Sequence, residues 1–239
     1  MDNQYTNNFQ NISPPLWGGR EGLLIKVCGL REPKNILEVA RLEPDMMGFI
    51  FYHNSPRFAK HLDVNVLHQI PKHIKKVGVF VNEDLENILT YIEKYKLDAV
   101  QLHGAENYTL CKKLKDESKV MIIKVFSVMS ADNFKVTKEY EPVSDYFLFD
   151  TKTDVYGGSG QKFNWNILNE YKGNKEFILS GGISLSDVKP ICKIFHPKLI
   201  GVDLNSKFEI KPGLKDVEKL RMFIHEFRNT PKNRIVEQN

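Results

Sequence analysis

The stretch Leu23-Leu24-Ile25-Lys26-Val27-Cys28-Gly29-Leu30 is an apolar run that ends in a thiol followed at once by glycine. Read as a strand, it alternates side chains between two faces, so Leu24, Lys26 and Cys28 share one face and Ile25 and Val27 the other. Cys28 is then the last inward residue. A free cysteine is usually a small, inert packing residue, and a second strand raises this one above that reading. Tyr146-Phe147-Leu148-Phe149-Asp150 also ends in a titratable group and opens into a polar, glycine-rich segment, Thr151 to Gln161. Two titratable groups at strand ends far apart in sequence point to an acid and a base around one cavity.

Outward from these two runs, short apolar segments alternate with longer amphipathic ones. The pattern predicts strands over Leu23 to Cys28, Met46 to Tyr52, Lys76 to Val81, Ala99 to His103, Val120 to Phe126, Tyr146 to Asp150, Phe177 to Ser180 and Leu199 to Asp203. Helices are expected over Pro33 to Leu42, Val64 to Ile70, Asp84 to Tyr95, Glu106 to Asp116, Ala131 to Glu139, Asn164 to Tyr171, Leu185 to Ile194 and Asp216 to Arg228. Eight strand–helix units of similar length predict an α/β fold, a single-domain (β/α)8 TIM barrel over residues 23–230. A doubly wound open sheet is the competing fold, disfavoured because no GxGxxG follows the first strand. Residues 1–22, rich in Asn, Gln, Pro and Gly, are expected to be a disordered extension, and residues 231–239 a polar tail.

Composition narrows the class. With 41% hydrophobic and 27% charged residues among 239, the chain is an ordinary globular one. No apolar run reaches the roughly 20 residues of a membrane span, and the first ten residues lack the features of a secretory signal. Cysteines at 28, 111 and 192 form neither a metal-ligand spacing nor a disulfide framework, which favours a reducing cytoplasm and no metal. A net charge of +4, scattered among acids, gives no basic stripe for nucleic acid.

In such barrels phosphate is often held by the loops after strands seven and eight. Here these read Ser180-Gly181-Gly182-Ile183-Ser184 and Asp203-Leu204-Asn205-Ser206-Lys207. Glycine pairs let backbone N–H groups approach an anion, although a tight strand-to-helix turn explains them equally well outside a barrel.

Several motifs in order resemble the phosphoribosylanthranilate isomerase family of tryptophan biosynthesis. They are Lys26-Val27-Cys28-Gly29-Leu30, Gly48-Phe49-Ile50-Phe51-Tyr52 leading to Ser55-Pro56-Arg57, and Val77-Gly78-Val79-Phe80-Val81-Asn82. Next come Val100-Gln101-Leu102-His103-Gly104, then Asp150-Thr151-Lys152-Thr153 with Tyr156-Gly157-Gly158-Ser159-Gly160, Leu179-Ser180-Gly181-Gly182, and Pro212-Gly213-Leu214-Lys215-Asp216. The resemblance implies a cofactor-independent Amadori rearrangement of N-(5-phosphoribosyl)anthranilate, with Cys28 as general base and Asp150 as general acid. It implies that Arg57 pairs with the anthranilate carboxylate. His103, Gly181, Gly182, Asp203, Asn205 and Ser206 are carried as further substrate-binding residues.

A base at Cys28 must be a thiolate, so its thiol is expected to titrate below a free cysteine. Lys26 is expected to pair with an acid inside the barrel. The glycine-rich segment is expected to form a lid over the substrate. One departure stands out: where the family shows Asp-Val-Ser-Ser-Gly-Val-Glu, this chain has Asp203-Leu204-Asn205-Ser206-Lys207-Phe208-Glu209, which puts Lys207 at a glycine position.

Three other functions compete. The histidine-pathway isomerase uses paired aspartates, against Cys28. Indole-glycerol-phosphate synthase relies on a lysine acid, which does not fit Cys28 with Asp150. A catalytically silent phosphate-binding subunit is disfavoured by Cys28, Asp150 and Arg57 occurring together. The partner expected is a small phosphorylated substrate, with no nucleic acid and no membrane, bound by a monomer or weak homodimer.

Overall fold

The computed structural model describes residues 22–150 and 165–231. Eight parallel strands, β1 (Leu24–Cys28), β2 (Met46–Ile50), β3 (Lys75–Phe80), β4 (Ala99–Leu102), β5 (Met121–Ser127), β6 (Tyr146–Asp150), β7 (Phe177–Ser180) and β8 (Leu199–Leu204), close in sequence order into a barrel. β8 pairs back onto β1 with Lys26 opposite Asp203. The expected barrel is therefore the observed one.

Strand alternation divides the core into two layers. Leu24, Met46, Val77, Ala99, Ile123, Leu148 and Ile178 fill the barrel interior, while Ile25, Val27, Phe49, Phe147, Phe149 and Phe177 face the surrounding helices. Phe147 and Phe149 point away from Leu148 and Asp150, as alternation requires.

The outer ring contains α1 (Pro33–Ala40), α2 (Val64–His68), α3 (Leu85–Tyr95), α4 (Tyr108–Glu117), α5 (Thr137–Tyr140), α6 (Val188–Cys192) and α7 (Val217–Asn229). Pro33 opens α1, where its missing N–H costs nothing. Asp63, Asp84, Asn107 and Asp216 cap α2, α3, α4 and α7 by accepting a backbone N–H. α7 buries Leu220, Phe223, Ile224 and Phe227, its core-facing stripe.

Three expected helices differ. The fifth splits into a 3-10 turn at Ala131–Phe134 followed by α5, which ends at Tyr140 and passes into a second 3-10 turn, Glu141–Val143, that contains Pro142. The sixth is a 3-10 segment, Trp165–Glu170. The seventh begins as a 3-10 turn at Leu185–Asp187 under a Ser184 capping box and only then becomes α6, with Pro190 near its start. The expected start of the fourth also moves, because Glu106 lies off the helix and is buried. Its carboxylate accepts the N–H of Asn82 and Gly104 and pairs with Lys124 at 2.8 Å.

A further element was not expected. After β8, a 3-10 turn at Ser206–Phe208 leads into a two-stranded antiparallel hairpin, β9 (Glu209–Lys211) and β10 (Leu214–Lys215). Buried Asn35 of α1 pins it: its Oδ1 accepts the Lys215 N–H at 2.7 Å and its Nδ2 donates to the Lys215 carbonyl at 3.0 Å.

At the opposite, N-terminal end of the barrel, three aspartates repeat one device. Asp45, Asp98 and Asp145, each just before an even-numbered strand, accept the N–H of Ile25, Lys76 and Ile122 on the preceding strand at 2.8–2.9 Å. Among the described residues no helix is long and apolar enough to cross a membrane. The glycine-rich segment Thr151 to Gln161, expected as a lid, lies outside the described residues, as do the extension up to residue 21 and the tail from residue 232.

Candidate active site

Cys28 and Asp150 are the last residues of β1 and β6, so both stand at the C-terminal end of the barrel. Both belong to the inward-facing series of their strands. Cys28 is 3% exposed and packs over Gly48, its partner on β2. A Cβ on Gly48 would come within 2.8 Å of the Cys28 Sγ, so the glycine makes the space the thiol occupies.

Beneath the thiol, Lys26 donates to Asp203 at 2.9 Å, and both are buried. Lys26 thus pairs with an interior acid as expected. Burial opposes its charge, yet Asp203 and Cys28 hold its pKa above the usual lysine value. Asp203, expected among the substrate-binding residues, is buried on β8 in register with Lys26.

The expectation for the Cys28 thiol needs correction. Burial pushes its pKa up, not down, with Lys26 and then Lys215 pulling the other way and Asp203 adding to the rise. Burial thus favours the neutral thiol, and the neighbouring ammonium groups favour its ionised form.

Arg57 follows β2 and crosses Gly29, the residue after Cys28. Gly29 has φ +80°, and a Cβ there would meet Asn205 Oδ1 at 2.7 Å and Arg57 Cδ at 2.8 Å, so glycine is required. The inner edge of the Arg57 guanidinium, Nε and Nη2, grips Glu209 at 2.7–3.0 Å. This leaves Nη1 and the second Nη2 hydrogen as the outer edge of the guanidinium, turned away from Glu209.

Glu209 also accepts from Lys215 Nζ at 2.9 Å and from the Gly213 N–H at 3.1 Å. Burial opposes its charge, but the hydrogen bonds from Arg57 and Lys215 hold its pKa below the usual carboxylate value. Lys215, whose side chain is fully buried, donates to Asn205 Oδ1 at 2.8 Å. Burial lowers its pKa, with Glu209 and then Cys28 pulling the other way and the Arg57 charge adding to the fall. Neither Glu209 nor Lys215 was assigned a role from sequence, although Lys215 stands in a motif that carries the resemblance and Glu209 ends the stretch that departs from the family pattern.

His103 follows β4, with Nδ1 3.0 Å from Gln101 Nε2 and Nε2 3.6 Å from Asp150 Oδ2. This brings His103, expected as a pocket residue, beside Asp150. Gly181 and Gly182 follow β7 with φ +107° and +65°, and a Cβ on Gly182 would meet open space. After β8, Asn205 is tied to Lys215, and Ser206 and Lys207 are exposed. Lys207 is absent from the residues with positive φ, so this loop does not need the family's glycine there.

The family model for N-(5'-phosphoribosyl)anthranilate isomerase matches residues 25–226. The chain belongs to this family.

The relative from Parabacteroides distasonis, N-(5'-phosphoribosyl)anthranilate isomerase, is 46% identical over 85% of this chain and 93% of its own length. The isomerase of Phocaeicola vulgatus is 42% identical over 86% and 98%. The crystal structure of the Thermotoga maritima isomerase superposes with a TM-score of 0.75 at 32% identity, covering 87% of this chain and all of its own. A phosphoribosyl anthranilate isomerase in complex with reduced 1-(o-carboxyphenylamino)-1-deoxyribulose 5-phosphate superposes with a TM-score of 0.74 at 28% identity, over the same shares. Solved structures of the family also include monomers generated from the dimeric Thermotoga maritima isomerase.

Proposed function

We propose that the chain carries out its family's aldose–ketose isomerisation, the Amadori rearrangement of N-(5'-phosphoribosyl)anthranilate to 1-(2-carboxyphenylamino)-1-deoxyribulose 5-phosphate in tryptophan biosynthesis, with Asp150 as general acid and Cys28 as general base. The observation that carries this reading is that both groups close inward-facing series at the same end of one barrel. Asp150 gives a proton to the furanose ring oxygen, the C1–O bond breaks, and the anilino nitrogen lone pair forms the iminium. The Cys28 thiolate removes the C2 proton, and the C2–H electrons move towards C1 to give the enolamine, which takes a proton at C1 as the C2 hydroxyl becomes a ketone. Protons and electrons balance within the substrate and these two groups, so the reading uses no cofactor.

The outer edge of Arg57 receives the anthranilate carboxylate, since an arginine fork matches a carboxylate. Gly181, Gly182 and Ser206 bound the phosphate end, and His103 lies beside Asp150. Asp203 and Asn205 act indirectly in this reading, through Lys26 and Lys215. A monomer supplies every residue named, with a weak homodimer as the other state consistent with the family. A cytoplasmic setting goes with three free cysteines.

The test is steady-state turnover of freshly generated substrate, followed by loss of anthranilate fluorescence, for wild type, Cys28→Ala and Asp150→Asn. Each variant, folded by circular dichroism, is expected to lose about 100- to 10,000-fold in kcat. Wild-type inactivity, or a Cys28→Ala enzyme as fast as wild type, would overturn the reading.

A further inference from the structure

The ionic groups around Cys28 do not balance. On its own strand and on β8, Lys26 and Asp203 form one buried pair at 2.9 Å. On the far side, Arg57 and Lys215 share the single carboxylate of Glu209, at 2.7 Å and 2.9 Å. Arg31, whose side chain lies against Gly213 of the hairpin turn, is paired with Glu32 at 3.3 Å and adds no net charge. On β2 the thiol lies against Gly48. In these two linked groups three cations are held by two carboxylates, leaving one positive charge over.

Lys215 is the cation whose presence needs explaining. Arg57 holds both oxygens of the shared Glu209 and keeps an outer edge, and Lys26 has Asp203. Lys215 is an ammonium with no exposed side-chain surface, held by a carbonyl, an amide oxygen and a share of Glu209. Burying an incompletely compensated charge is costly. The fold nevertheless fixes it in place through the reciprocal Asn35 hydrogen bonds to the Lys215 backbone. It is also close to the thiol: the Asn205 Oδ1 that accepts from Lys215 Nζ is the atom that roofs Gly29, next in the chain to Cys28.

We propose that Lys215 is a positioning residue for the reaction, its buried ammonium supplying the excess positive charge against which Cys28 becomes a thiolate. The step is a proton leaving Cys28 Sγ for solvent or a bound base, which leaves three cations facing three anions. Lys26 acts on the thiol in the same direction, but Asp203 opposes it and itself disfavours the thiolate, so the charge of Lys215 adds to what Lys26 supplies. The hairpin of β9 and β10 is then part of the base, carrying both Lys215 and the carboxylate that limits its effect.

This inference rests on Cys28 being the general base, and the experiment separates the two. The thiolate ultraviolet absorbance is titrated against pH, with Cys28→Ala subtracted, for wild type, Lys215→Gln, Lys215→Arg and Glu209→Gln, and each midpoint is compared with the pH profile of kcat/KM. Lys215→Gln keeps a hydrogen-bond donor but loses the charge. Its midpoint is expected to rise by about one pH unit, a tenfold smaller thiolate fraction at neutral pH, with a matching fall in kcat/KM at neutral pH that recovers at alkaline pH. Lys215→Arg should restore most of both, and Glu209→Gln should move the midpoint down. If Lys215→Gln does not fold, the sign of the Glu209→Gln shift decides. An unmoved midpoint in folded Lys215→Gln, or an upward shift in Glu209→Gln, overturns the inference. Midpoints that move as stated while Cys28→Ala keeps full turnover would sink the base assignment and, with it, the catalytic role of Lys215.

Discussion

Arg57 lies side-on against Glu209, with its Nη2 2.7 Å from Oε2 and its Nε within 3.0 Å of both carboxylate oxygens. The contact leaves one edge of the guanidinium for a ligand and fixes the direction in which that edge points. Glu209 is itself held by Lys215 and the Gly213 N–H, so the arginine leans on a rigid support.

Two substitutions separate gripping from aiming. Arg57→Lys removes the planar fork and is expected to raise KM about ten- to a hundredfold, the worth of a charged hydrogen bond. Glu209→Gln leaves the fork intact but weakens its support, and should raise KM by a smaller factor. Steady-state kinetics with substrate varied checks both. A KM for Arg57→Lys equal to wild type would show that the outer edge of Arg57 receives nothing.

Gly48 and Gly78 offer a comparison in which overpacking is matched and only the site differs. An alanine Cβ at 48 would stand 2.8 Å from Cys28 Sγ and 3.2 Å from its Cα, while one at 78 would meet Leu97 at 2.6 Å and the Phe80 ring at 2.8 Å, outside the barrel wall. Both variants should lose about 1–3 kcal/mol in urea denaturation. Only Gly48→Ala is expected to lower kcat by more than about tenfold, because it displaces a general base. Equal kcat losses would show that the thiol position is not what Gly48 protects.

The barrel was legible because its strands carry a strong signal: β6 and β7 have the expected ends, and the other strands differ by two residues at most. The inward series Leu24, Lys26, Cys28 followed from alternation alone. The outer layer was less legible, since the amphipathic pattern of 131–139 and 185–194 does not distinguish a helix from a 3-10 turn followed by a short helix. The β9–β10 hairpin escaped because strands of three and two residues around Pro212 and Gly213 carry no periodicity. The cost was the charge partnership: Lys215 could be quoted within a motif and Glu209 within the departing stretch, but only their convergence on Asn205 and Arg57 gives them a part in the site.

Asp45, Asp98 and Asp145 sit at the end of the barrel away from Cys28, where side chains serve stability in this fold. Each replaces a missing ladder partner by accepting a strand N–H. Alanine at each position is expected to cost about 1–3 kcal/mol, the price of a buried donor left unsatisfied, with kcat/KM within about twofold of wild type. Thermal melts beside turnover assays check this, and a variant with an intact melting temperature and lost activity would contradict it.

Lys26 and Asp203 combine a stability question with a catalytic one. Both side chains are buried, so removing one partner strands the charge of the other, and Lys26→Met or Asp203→Asn alone should each destabilise by about 3–5 kcal/mol. Replacing both by apolar residues removes both charges at once, so Lys26→Met with Asp203→Leu should be more stable than either single variant in urea. Activity should follow the cations instead of the fold: the double variant lacks Lys26 beside Cys28, so its kcat/KM should stay low at neutral pH although its stability recovers. A double variant destabilised by the full sum of the two singles would mean that the pair contributes packing and hydrogen bonding beyond its charges. A double variant with wild-type kcat/KM would show that Lys26 holds the barrel together without assisting the thiol above it.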